Sequence, residues 1–151
     1  MDVVIREIEE KDYPAVTALL VDDLWENKFA GDHVVPFFYK AKNDENYRTF
    51  VALLNDNVVG VISTVTIFWA ISEPANTLLV QGFVVKNELQ NKGIGTKLLK
   101  YTEDYAKAKG ILGVGLCSGF KRTAAHAFYE HNGYGKMTQY FSKMLNPIEQ
   151  F

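Results

Sequence analysis

With 151 residues, 48% of them hydrophobic and 23% charged, the chain predicts one compact soluble domain spanning 1–151, long enough to bury a sizeable core. A formal net charge of −2 argues against a nucleic-acid binder, and the longest apolar run, Val58 to Ile71, is too short and too interrupted by Ser63, Thr64 and Thr66 to span a membrane. A single cysteine, Cys117, excludes an internal disulfide, and the acidic N-terminal stretch, which does not read as a secretory leader, points to the cytoplasm.

Taken in chain order, Val3 to Ile8 alternates as a first strand. Asp12 is placed to cap a helix with Pro14 near its first turn, carrying Val16, Leu19 and Leu20 on to about Trp25. Residues 27–31 form a loop, and Val34 to Lys42 a second short helix. Tyr47 to Leu54 and Val58 to Ala70 are strands joined by Asn55-Asp56-Asn57, residues that tolerate left-handed turns. After a turn over residues 72–76 comes the strand Thr77 to Val85, interrupted by Gly82. A glycine inside a strand marks a bulge or the close approach of a ligand.

A glycine turn and a strongly periodic helix follow, the helix continuing to about Lys109. Ile94, Leu98, Tyr101, Tyr105 and Ala108 form its apolar stripe, opposite Lys97, Lys100, Asp104 and Lys107. Leu112 to Ser118 is a fifth strand, a short helix runs through Tyr129 to a cap at Gly133, and Tyr134 to Leu145 reads as a last strand. The order β-α-α-β-β-β-α-β-α-β describes an α/β protein whose mixed, mostly antiparallel sheet is flanked by helices.

The turn itself reads Gln90-Asn91-Lys92-Gly93-Ile94-Gly95-Thr96. The first N–H groups of a helix lack partners within it, and the helix dipole adds roughly half a positive charge there. Glycines at 93 and 95 let a phosphate approach that backbone. A dinucleotide fingerprint requires a third glycine where Leu98 stands, and no P-loop string occurs in the chain. What remains is Q-x-x-G-x-G after a strand. It resembles the acyl-coenzyme A signature of the GCN5-related N-acetyltransferases, [QR]-x-x-G-x-[GA].

A second string, Arg122-Thr123-Ala124-Ala125-His126-Ala127-Phe128-Tyr129-Glu130-His131-Asn132-Gly133-Tyr134, resembles that family's A-x-x-[FL]-Y helix ending in x-x-x-G-[FY]. The two signatures stand in the family's order, and the resemblance covers the whole chain. It implies the family's fold, acetyl-CoA as cosubstrate with no metal, and transfer of acetyl to a primary amine of a small molecule or peptide through a ternary complex. Main-chain groups of Phe83, Val84 and Val85 would pair with the pantetheine arm, and those of Gln90, Asn91, Lys92, Gly93, Ile94, Gly95 and Thr96 would hold the pyrophosphate. Arg122 stands where many members carry an asparagine that reaches the cofactor. Tyr129 takes the place of the general acid, and a phenol of pKa ~10 suits a developing thiolate.

The general base is not supplied by the fourth strand, because Leu78 to Val85 contains no carboxylate. Asp22, Asp23, Glu26, Asp32, His33 and Glu73 are the candidates elsewhere. That gap favours a rival reading, a sensor or binding module that keeps the coenzyme A site without turnover. Cys117 reads as a small buried apolar residue rather than a nucleophile. His126 and His131, five residues apart, do not share a helix face and predict no metal site.

Charge is divided along the chain: residues 86–122 hold eight Lys and Arg against three Asp and Glu, and the residues before 86 hold six against thirteen. The first group suits a polyanionic cofactor, and the second suits a cationic amine. Apolar residues near Phe141 to Phe151 suggest a homodimer.

Overall fold

The structure is a computed structural model in which residues 1–71 and 75–146 are described. They form two compact units, Met1–Gly115 and Leu116–Phe151. The first contains strands β1 (Val3–Glu7), β2 (Tyr47–Leu54), β3 (Asn57–Phe68) and β4 (Asn76–Val85), with helices α1 (Tyr13–Leu19), α2 (Val34–Ala41) and α3 (Ile94–Ala108). A short β5 (Val114–Leu116) follows α3. The sheet order is β1-β2-β3-β4-β5, and the first three pairings are antiparallel. Asn55 and Asp56 both take positive φ at the β2–β3 turn, the twist that a two-residue hairpin demands.

Period two divides β2 and β3 between two cores. On one face Val51 and Leu53 of β2, Val61 of β3 and Val84 of β4 meet Tyr13, Val16 and Leu19 of α1 and Val34 and Phe38 of α2. On the other face lies α3. A Cβ built on Gly60 would stand 2.9 Å from Leu98 Cδ1 and 3.4 Å from the Val84 carbonyl oxygen, so the helix closes on the sheet where β3 has no side chain. The buried stripe of α3 is Ile94, Leu98, Leu99, Thr102 and Ala106, rotated from the expected one. Thr102 can be buried because its hydroxyl donates to the Leu98 carbonyl (2.8 Å). Tyr101 and Tyr105 instead edge the ring of buried Phe50 at 5.0 and 5.3 Å.

Asp12 precedes α1, but its carboxylate does not cap it. It accepts Arg6 Nη1 (2.7 Å), Arg6 Nη2 (3.1 Å) and the Glu9 N–H (2.8 Å), fastening β1 to the turn before the helix. The expected continuation to Trp25 is a π-helical turn, Leu20–Leu24. Such turns widen a helix locally and recur beside functional sites.

In the second unit α4 (Thr123–His131) forms as expected, but the last expected strand, Tyr134 to Leu145, does not. Its apolar residues Met137, Tyr140, Phe141, Met144 and Leu145 are exposed and do not alternate, so no single sheet face exists for them to cover. Cys117 is exposed rather than buried, because β5 ends at Leu116 and leaves it beyond the strand. Of the positions tied to a dimer, residues 147–151 lie outside the described residues, as does Glu73. Among the described residues no helix is long and apolar enough to cross a membrane.

Candidate active site

The glycine turn is reached from β4 through one turn of 3₁₀ helix, Asn87–Leu89. Two side chains brace that turn. Asp23 accepts the Asn87 N–H (2.8 Å), and Gln90 Nε2 donates to the Val85 carbonyl (3.2 Å) and to Asn87 Oδ1 (3.0 Å). The Gln90 N–H donates to the Asn87 carbonyl as well (3.3 Å). Gln90 therefore shapes the loop with donors that its place in the motif offers to a phosphate.

Beyond Gln90 the chain changes hand at Asn91 (φ 61°) and again at Gly93 (φ 85°), where α3 is capped. A Cβ at Gly93 would meet nothing within 4 Å, so conformation and not space reserves the position for glycine. Lys97 N–H to Gly93 carbonyl (3.1 Å) is the first bond of α3. The N–H groups of Ile94, Gly95 and Thr96 precede it and lie at the positive end of a 15-residue helix. Ile94, 1% exposed, anchors the turn, while Lys92, Thr96 and Lys97 are exposed around it. A coenzyme A pyrophosphate fits this cradle of backbone donors and flanking lysines.

β4 is bulged where Gly82 predicts it. Ser63 of β3 pairs with Gly82 but Thr64 pairs with Val80, leaving Gln81 as the extra residue. Past the bulge Phe83, Val84 and Val85 pair with Ile62, Val61 and Gly60. Against the bulge opens a cleft of about 290 Å³. Val16, Leu20, Leu24 and Trp25 form one wall, His33, Val34, Phe37 and Phe38 another, and Val61, Ser63, Gln81 and Gly82 the floor. The Ser63 hydroxyl is hydrogen-bonded to Thr49 Oγ1 at 2.9 Å, and the rings of Trp25 and His33 lie 5.6 Å apart.

Of the candidate bases among the described residues, only His33 lines this cleft. Asp23 is engaged with Asn87, Glu26 is paired with Lys28 (3.1 Å), and Asp22 and Asp32 are exposed away from the lining. The aromatic wall, Trp25 and Phe37 above all, is not foreseen from the sequence. Neighbouring aromatics at helical spacing look like core until the wall they form is seen.

In the second unit Tyr129 sits in the last turn of α4. Tyr134 N–H donates to the Tyr129 carbonyl (3.0 Å) and Gly133 N–H to the Glu130 carbonyl (3.0 Å), with Gly133 at φ 89°. This pair of bonds is the Schellman cap, and it holds the backbone of Tyr129 in the helix through the Gly-Tyr that closes the motif. The rings of Tyr129 and Tyr134 lie 6.2 Å apart. Tyr129 is half-buried, and burial pushes its phenol above the ordinary tyrosine value, with the Arg122 guanidinium pulling the other way. Arg122 is exposed at the N-cap of α4. No cluster of three or more His, Cys, Asp or Glu is placed to hold a metal among the described residues.

The family model of the Acetyltransferase (GNAT) family matches residues 5–134. The chain belongs to that family. It is similar to an aminoalkylphosphonate N-acetyltransferase of Salmonella typhimurium, 34% identical over 103 residues, which are 68% of this chain and 66% of that protein. The match thus spans just under two thirds of the relative's length. Among solved structures, a transcriptional regulator of Bacillus halodurans superposes with a TM-score of 0.87 at 23% identity, covering 95% of this chain and all of that one. A predicted acetyltransferase with acetyl-CoA from Clostridium acetobutylicum superposes with a TM-score of 0.80 at 12% identity, covering 95% of this chain and 97% of that one. The GNAT fold is shared across these structures.

Proposed function

We propose that this GNAT protein is an N-acetyltransferase that moves an acetyl group from acetyl-CoA directly to a primary amine, of a small molecule or a peptide, in a ternary complex. The observation that carries the proposal is the continuity of one strand. β4 floors the cleft with Gln81 and Gly82, continues as Phe83–Val85 and leads into the glycine turn. An acceptor in the cleft therefore lies beside the backbone that would take the pantetheine arm.

When bound, acetyl-CoA supplies the thioester carbonyl that the amine attacks. The turn holds the pyrophosphate with main-chain N–H groups of Asn91 to Thr96, assisted by Lys92 and Lys97, and Gln90 keeps the loop in shape. Arg122 adds positive charge for the cofactor. His33, which lines the cleft, takes the proton that the amine must lose. Tyr129 gives a proton to the departing sulfur, a task that its burial favours by keeping the phenol neutral. The enzyme so described works in the cytoplasm, and a homodimer formed through exposed Met137, Tyr140 and Phe141 belongs to the proposal. Light scattering over a concentration range tests the dimer.

The deciding experiment is thiol release from acetyl-CoA in the presence of a broad amine panel. The proposal expects turnover with at least one amine. Coenzyme A binding with no thiol released by any of them would make the protein a binding module instead.

A further inference from the structure

The chemistry of the cleft narrows the acceptor beyond "a primary amine". We infer that the acceptor is a compact monoamine carrying one uncharged aryl or branched alkyl group, and not a polyamine, an aminoglycoside-like polycation or an aminophosphonate. The inference rests on the acetyl-transfer reading above and specifies its substrate.

Three observations carry it. Among the described residues, none lining the cleft is an Asp, Glu, Lys or Arg. Of the carboxylates in the segments that wall the cleft, Asp23 holds the Asn87 N–H, Glu26 holds Lys28, and Asp22 and Asp32 are exposed outside the lining. A second ammonium group in the cleft would lose water with no lining carboxylate to replace it, and a phosphonate would lose it with no lining lysine or arginine. The acidic balance of residues before 86 therefore does not reach the cleft wall.

The walls, in contrast, are apolar along their length, with Leu20, Leu24, Trp25 and Phe37 facing the space. Trp25 is held in place from two sides, by the Phe29 ring at 5.9 Å and the His33 ring at 5.6 Å. An aryl or branched group gains roughly 25 cal/mol for each Å² it removes from water there.

Size is the third. About 290 Å³ lies at the small end of the ~300–1,000 Å³ typical of drug-sized sites, and a multi-ring polycation exceeds it. Gln81, Gly82 and Ser63 form the end of the floor that meets the bulge beside Phe83. The amine belongs at that end and the apolar group against the aromatic wall. In the step itself, the nitrogen–carbonyl carbon bond forms as the carbon–sulfur bond breaks. Nitrogen gives up one proton to His33 and the thiolate takes one from Tyr129, leaving the amide and the free thiol.

The test compares kcat/KM for phenethylamine and isoamylamine with that for putrescine and aminoethylphosphonate, by thiol release at saturating acetyl-CoA. The expected preference for the apolar monoamines is about 100-fold. In Leu24→Glu the new carboxylate should move the ratio at least ~10-fold toward putrescine. Phe37→Ala, which widens the apolar end without adding charge, should shift preference toward the bulkier naphthylethylamine and keeps the test independent of how the π turn tolerates glutamate. Equal or better turnover of putrescine or aminoethylphosphonate by the wild-type protein overturns the acceptor assignment and leaves acetyl transfer standing. Acetyl-CoA binding with no turnover of any amine overturns both.

Discussion

The two halves of the candidate site are built from different materials. The cofactor turn is a backbone device: a left-handed Asn91, a left-handed Gly93 and three N–H groups ahead of the first helical bond, all within seven consecutive residues. The acceptor cleft is a side-chain device, assembled from Val16 to Gly82 across two helices, a π turn and two strands. A device made of local backbone conformation leaves a fixed spacing in the sequence. A device made of distant side chains leaves none.

That contrast yields tests in descending order of effect. As the proposed general acid Tyr129 belongs to neither device, so Tyr129→Phe should lower kcat by about 10²–10⁴-fold with little change in either KM, measured by steady-state thiol release. Burial holds its phenol above the ordinary tyrosine value, so the alkaline limb of kcat should lie above that of an ordinary tyrosine. A limb well below it would assign the acid to another group.

Gly93→Val attacks the backbone device directly. A β-branched residue at φ 85° is strained by about 1–3 kcal/mol, which predicts a rise of roughly 10–100-fold in KM for acetyl-CoA and an unchanged KM for the amine. Lys92→Ala, which removes charge but no backbone donor, should change the acetyl-CoA KM by less than about 5-fold. If the lysine proves the larger of the two, the turn works by side-chain charge and the comparison fails.

Gly60→Val tests the packing that sets α3, and hence the turn, over the sheet. A Cβ at this position would stand only 2.9 Å from Leu98 Cδ1, so overpacking should cost about 1–3 kcal/mol in urea unfolding. The smaller of the two stability effects is that of Asp12→Asn, about 1–2 kcal/mol at neutral pH. Burial acts to raise the Asp12 carboxyl, but the bonds from Arg6 and the Glu9 N–H outweigh it and hold it below the usual carboxylate value. Its contribution is therefore complete above pH ~4 and disappears as pH falls through the depressed value. The wild-type and variant stability curves should converge in acid.

The same contrast explains what the sequence made legible. The strand–turn–helix, the bulge at Gly82, the left-handed cap at Gly133 and the order of elements through α4 each follow from local rules acting on a few adjacent residues. The expected last strand does not form because Met137, Tyr140, Phe141, Met144 and Leu145 do not keep a period of two. Cys117 lies outside its expected place because β5 stops after three residues, which propensity does not foresee. Gln90 reads in sequence as part of the phosphate turn, and the bonds of its side chain to Val85 and Asn87 leave no signal there. Which acid–base group reaches the cleft is not readable at all, since Asp23 and His33 differ only in where the chain folds them.

The bond from the Asn87 N–H to Asp23 joins the two devices, because Asp23 belongs to the π turn that also supplies Leu20 and Leu24 to the cleft wall. A ligand that steadies the turn steadies this wall through one hydrogen bond. With coenzyme A in the turn and the amine in the cleft, as proposed, thermodynamic linkage would make the influence mutual: the factor by which one tightens the other is the same in both directions. Cutting that bond with Asp23→Ala should bring that factor closer to one, leaving the continuous β4 as the remaining link.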